Sequence, residues 1–170
     1  MEFARCQGKR IALAAIFAVV FSVSSYAAEE SCPHCRMPRA KHPHAWVIIT
    51  YENQLAKGVC SIHCAGIDMV VNKDALVHSM TVSDYNTKQQ IDAYKAFWVI
   101  GGDVPGVMTL RAKWAFEKQE DAETFIREHG GETTVFEEVI RAVFVDLYED
   151  TIAIKRLKKM ADQEKKQGIE

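Results

Sequence analysis

This chain lacks the excess of positive charge that nucleic-acid binding requires. Its 21 Lys and Arg are outnumbered by 23 Asp and Glu, for a net charge of −2. No broad basic footprint is therefore available for a phosphate backbone, and no nucleic-acid partner is expected. The glycine patterns of nucleotide sites are missing too. Gly101-Gly102-Asp103-Val104-Pro105-Gly106 is rich in glycine, but it carries neither Gly-Lys-Ser/Thr nor Gly-x-Gly-x-x-Gly. Nothing assembles a hydrolytic site beyond the neighbouring Cys64 and His63, and no enzyme activity is expected. Proline is scarce, with 4 in the chain. Three of them, Pro33, Pro38 and Pro43, fall in one short stretch and keep it out of regular structure.

Long apolar runs are also lacking. The one candidate, Ile11 to Val23, is shorter than the roughly 20 residues a bilayer span takes. It reads instead as the core of a signal peptide over residues 1–27. Arg5, Lys9 and Arg10 supply the basic start, and Ser25-Tyr26-Ala27 the small-x-Ala cleavage site. Cleavage after Ala27 would leave a periplasmic protein with no stable membrane span. A lipid anchor would need a cysteine after a Leu-x-Gly/Ala run, whereas Cys32 follows Glu29-Glu30-Ser31.

A hydrophobic share of 48% is ample for a globular core. The spacing of apolar residues predicts an α+β fold. Ala45–Tyr51 is aromatic and β-branched, hence a strand, and Leu55–Cys60 is its return. Ser61 offers an N-cap for a helix over Ile62–Asn72, with Ile67, Val70 and Val71 inward. Met80–Ser83 follows as a strand. The order then recurs: a strand at Ala96–Ile100, a second ending at Trp114-Ala115-Phe116, a helix from Glu117 to His129 stopped by Gly130-Gly131, and a strand at Thr133–Val135. Two ββαβ modules in tandem are expected, over residues 28–86 and 87–135. Phe136, Val139, Ile140, Val143, Phe144 and Leu147 fall at helical spacing. They predict a C-terminal helix in 136–170, covering both modules before a Lys-rich tail frays into solvent.

The chemistry concentrates in four cysteines. Cys32-Pro33-His34-Cys35-Arg36-Met37 places two thiols three residues apart, so that the turn between them directs both sulfurs at one ion. Met37 adds a thioether, and thiolate with thioether suits soft Cu(I) better than zinc. This motif lies close to the expected mature terminus, a place where mobility concentrates. Cys60-Ser61-Ile62-His63-Cys64 puts two further thiols on one side of a helix start. The helix terminus there should favour thiolate. Three readings remain open on spacing: a Cys₄ zinc site, two disulfides, and a Cu(I) site that recruits Met37 and the loop residue Met108. His34 and His63 are possible additional metal ligands. His42, His44, His78 and His129 are read as ordinary histidines, and Met69 and Met80 as core.

In these residues the chain resembles the NosL family, exported copper-binding accessory proteins of nitrous-oxide reductase maturation. Cys32–Met37 is similar to the family's Cys-x-x-Cys-Gly-Met, with Arg36 in the glycine place. Val82-Ser83-Asp84-Tyr85, Pro105-Gly106-Val107-Met108, Ala115-Phe116, and Ala122–Phe125 ending in Gly130-Gly131 follow in the same order. Cys60-Ser61-x-x-Cys64 resembles the element shared by the TRASH and YHS-type metal-binding groups. The resemblance spans Cys32 to Val135. It implies two ββαβ modules, Cu(I) delivery to a copper-accepting periplasmic client, and ligation by Cys35, Met37 and Met108. Two departures stand out, since many members lack Cys60 and typical members are lipoproteins. The expected function is a Cu(I) chaperone with a metal site drawn from Cys32, Cys35, Met37, Cys60, Cys64 and Met108. The alternatives are a module stabilised by Zn²⁺ and a thiol–disulfide protein.

Overall fold

A computed structural model describes residues 30–166. The signal peptide expected over residues 1–27 lies outside them. After two 3₁₀ turns at Arg39–Lys41 and Pro43–Ala45, the chain forms strands β1 (Val47–Tyr51) and β2 (Ala56–Val59). Helix α1 (Ile62–Val71), β3 (Val77–Ser83) and β4 (Gln90–Asp92) follow. Then come β5 (Phe97–Ile100), β6 (Lys113–Phe116), α2 (Gln119–His129), β7 (Glu132–Thr134) and the long α3 (Phe136–Lys166).

Two antiparallel sheets result, ordered β2-β1-β3-β4 and β6-β5-β7. The repeat legible in the sequence is therefore a repeat of topology. In each unit the first strand is central, the second and third flank it, and the helix joins those two. Val47 faces Val59 on one side and Val82 on the other. Trp98 likewise faces Ala115 and Thr134. The α+β class, the two ββαβ units and the C-terminal helix all stand. Strand β4 was not expected. It is short and polar, and it pairs with β3 through Val82 and Ile91, extending the first sheet rather than the second.

The core is one body across both sheets, with Trp46, Trp98, Trp114, Tyr51 and Phe116 buried to 1% exposure or less. Asp84 ties the two units together. It accepts hydrogen bonds from the backbone N–H of Asn86 and Thr87, from the Thr87 hydroxyl, and from the N–H of Glu117 just after β6 (2.8 Å). Burial alone would push its carboxyl pKa up. Those donors outweigh burial and hold it below the ordinary carboxylate range. The Val82–Tyr85 stretch is thus a joint, reinforced by the Tyr85 N–H on the Ala115 carbonyl.

Helix α1 departs from expectation. Val70 and Val71 are exposed and Ile67 is half-buried, and the buried face carries Ile62, His63, Cys64, Ala65, Gly66 and Asp68. Hydrophobicity all round a short helix hides its inward face, because the apolar pattern then has no single side. The contact with α3 decides instead. A Cβ on Gly66 would lie 2.5 Å from a Val143 methyl, so only glycine admits α3 this closely. Helix α3 buries Phe136, Val139 and Val143 as expected, but Phe144 is exposed. The Lys-rich end is exposed and remains helical to Lys166.

Candidate metal centre

Cys32 and Cys35 are carried by a tight knuckle. The Cys32 N–H donates to the Met37 carbonyl, the Arg36 N–H to the Cys32 carbonyl (2.8 Å), and the Arg39 N–H to the Glu30 carbonyl. Ser31 and Pro38 close it as a β-bridge. Folding the chain this sharply requires a left-handed residue, and Arg36 supplies it with φ 67°. Glycine adopts that conformation at no steric cost. Its appearance at this place in the family's pattern is thereby explained, and Arg36 bears strain instead.

The knuckle is not a mobile end. Cys32 is fully buried, and the His34 Nε2 lies 2.8 Å from Asp68 Oδ2 on α1. Cys60 sits between β2 and α1, and Cys64 lies in the first turn of α1. Ser61 holds the N-cap position in extended conformation but makes no side-chain cap. Its hydroxyl lies 3.8 Å from the Cys60 sulfur.

The fold brings the four sulfurs of Cys32, Cys35, Cys60 and Cys64 within 4.8 Å of one another. All four thiols are free. Cys60 Sγ is 3.4 Å from Cys35 Sγ and 3.5 Å from Cys64 Sγ. A metal–sulfur bond of about 2.3 Å gives a tetrahedral S···S edge of about 3.8 Å. The cluster therefore has the dimensions of a cage around a single ion. Three of the cysteines are buried, and Cys35 is half-exposed.

The four thiols perturb one another's ionisation. The Cys32 thiol is shifted strongly down, because the Cys35, Cys60 and Cys64 thiols hydrogen-bond to its thiolate against the cost of burial. Cys35 reaches about 7: its neighbour Cys32 opposes ionisation, whereas Cys60, Cys64 and the Met37 N–H favour it. Cys60 and Cys64 are pushed up, chiefly by Cys32 and Cys35. This reverses the expectation that the start of α1 would favour thiolate there. The crowding of four acidic groups overrides a helix terminus, whose effect is small at this range.

The remaining candidates divide. The group of ligand atoms contains no histidine nitrogen. His34 gives one ring nitrogen to Asp68, and His63 Nδ1 lies 3.1 Å from Asp150 Oδ2 on α3. Burial holds the His63 pKa down in spite of Asp150. The Met37 side chain is half-buried against the core. Met108 has φ 61° and lines a cavity of about 230 Å³ with Asp150, Ile154 and Leu157. Asp68, Asp150 and Tyr51 escaped the sequence reading. Asp68 was legible in principle, one helical turn beyond Cys64; Asp150 sits on a distant helix with no motif around it.

Fold and site define an α+β protein of two ββαβ units that gathers four thiols into one metal-sized cluster. The chain belongs to the NosL family, whose sequence profile matches residues 23–144. Among solved structures, the copper chaperone NosL from Shewanella denitrificans is similar, with a TM-score of 0.54 at 22% identity. The match covers 64% of this chain and 88% of that one. A comparison with curated proteins gave no significant match. Among the described residues, no helix is long and apolar enough to cross a membrane.

Proposed function

We propose that this protein is exported to the periplasm after cleavage at Ala27 and there binds Cu(I) for delivery to a client, without catalysis of its own. The observation that carries this reading is the cluster of four free thiols. Sulfur selects soft ions, and the solved relative is a copper chaperone.

Cys32 and Cys35 yield their protons readily, whereas Cys60 and Cys64 resist. Cys35 is the half-exposed member and the natural point of entry. An incoming client thiolate or imidazole can bond the ion there while a carrier sulfur lets go. Cys60 and Cys64 then serve as exchange partners. Met37 and Met108 remain candidate thioether ligands, whereas His34 and His63 stand outside the thiol group, each engaged with a carboxylate.

One observation favours a second reading. Three of the sulfurs are buried, and the four close around a point, as in a structural Zn²⁺ site. Competition separates the two. Reduced protein should retain Cu(I) against an excess of Zn²⁺, and Met37→Ala and Met108→Ala should weaken Cu(I) alone. Zn²⁺ held in preference, with global unfolding of the metal-free form, would establish the structural site. Retention of fold without metal is expected. Each fully buried aromatic or aliphatic side chain contributes roughly 1.5–3 kcal/mol, and most of the core lies outside the cluster.

A further inference from the structure

We infer that Asp68 is a positioning residue for the thiol cluster, acting through His34 as a latch that sets how fast the ion leaves. This rests on the metal-binding reading above, and it assigns a role outside the ligand set.

Asp68 lies one turn beyond Cys64 on α1 and is fully buried. An isolated carboxylate there would be costly, and the fold surrounds it with donors. The Tyr51 hydroxyl donates from β1 to Oδ1 at 2.5 Å, and the Asn72 amide donates to the same oxygen at 2.9 Å. Lys57 Nζ stands 3.6 Å from Oδ2. These partners fix the carboxylate from the sheet and from the end of α1. Its remaining strong partner is His34 Nε2 at 2.8 Å on Oδ2.

His34 belongs to the other half of the site. It lies between Cys32 and Cys35, on the outside of the knuckle. Cys60 and Cys64 enter on the frame of β2 and α1, which carries Asp68. The His34–Asp68 bond is thus a side-chain link running directly from the knuckle to that frame. It differs in kind from the bonds within the knuckle, which shape the turn without attaching it to α1. His34 retains 18% side-chain exposure whereas Asp68 has none, so water reaches the contact from the His34 side. When it opens, the limb bearing Cys35 can swing away from Cys60. When it is closed, the sulfurs stay at their 3.4 Å approach.

The latch predicts an effect on rate that a merely destabilising change would not produce. Full-length reduced protein is loaded with Cu(I), and its release to bathocuproine disulfonate is followed. Cd²⁺, with its thiolate charge-transfer band, serves as a parallel probe. His34→Phe keeps a ring but removes the bond, and release should accelerate at least tenfold. His34→Gln retains an N–H donor and should stay within threefold of the parent. Val139→Ala lowers stability from α3 without touching the latch, and its release rate should be unchanged. A parental rate for His34→Phe, or equal acceleration by Val139→Ala, would overturn the latch while leaving the metal site standing. Parent protein that binds Cd²⁺ but not Cu(I) would overturn the copper reading, and the latch would then be judged on Cd²⁺ release. Failure to bind either ion would overturn both.

Discussion

Gly66→Ala tests the packing that brings α1 to the site. Alanine is the better helix former by about 1 kcal/mol, so propensity alone predicts stabilisation. The structure predicts the opposite. The new Cβ would stand 2.5 Å from Val143 Cγ1, about 1 Å inside ordinary contact distance. Val143 is 1% exposed, and a β-branched residue in a helix has essentially one χ1 rotamer. It cannot turn aside, so the two helices must separate. Overpacking of this kind costs about 1–3 kcal/mol, which outweighs the propensity gain and leaves a net loss of about 1 kcal/mol. Val143→Ala alone should cost about 2 kcal/mol through its cavity. In the double variant the added methyl finds the vacated space. The combined loss should therefore fall short of the sum by at least about 1 kcal/mol. Urea denaturation of reduced, metal-free protein provides the four corners of the cycle. Losses that add to within about 0.5 kcal/mol, the usual result for independent sites, would refute the account of Gly66. So would a stabilised Gly66→Ala.

Arg36→Gly should stabilise the knuckle by up to about 1 kcal/mol, since relief of the left-handed backbone exceeds the added freedom of the unfolded chain. Arg36→Val should weaken both stability and metal affinity, measured by denaturation and by chelator competition. The metal-free protein should lose stability as pH falls from about 7 to 5. Burial lowers the pKa of His42, His44 and His63 in the fold, whereas the unfolded chain takes up protons near pH 6.5. The unfolded state therefore binds more protons in this window, and acidification favours it. Flat stability over that range, in denaturation at several pH values, would contradict the burial of these rings.

Order along the chain was more legible than orientation. Strand and helix positions followed from apolar periodicity, and the two units were visible because their elements recur in the same sequence. The cysteines were legible as pairs, from C-x₂-C and C-x₃-C spacing. That the pairs meet was supported by the resemblance to the NosL family and shown only by the fold. Periodicity failed where one element serves two neighbours. Helix α1 packs on its sheet and on α3 while presenting Cys64, so its buried face holds small and polar residues, and Val70 and Val71 are left outside. Strand β6 is buried on both faces, with Lys113 inside and bonded to Asp146 at 2.8 Å. Strand alternation has no purchase on such a segment.

The knuckle also changes how a carrier should be understood here. Proximity to the expected mature terminus suggested a mobile limb, which would exchange metal easily but hold it poorly. The fold supplies a clamped limb instead. Cys32 is anchored in the core. Cys35 is the sulfur nearest solvent, and its thiol reaches about 7, so about half of it is protonated at neutral pH when the metal has gone. Retention and release then fall to different residues. On the proposed reading, three buried sulfurs resist loss of the ion to water. One half-exposed sulfur, on a limb held to α1 through His34 and Asp68, would be the position from which the proposed exchange begins. A site with four equally buried sulfurs would hold metal but would give an acceptor no ligand to replace. Four exposed sulfurs would surrender it to any thiol. The asymmetry between Cys35 and its three partners is the property on which the proposed transfer of metal rests.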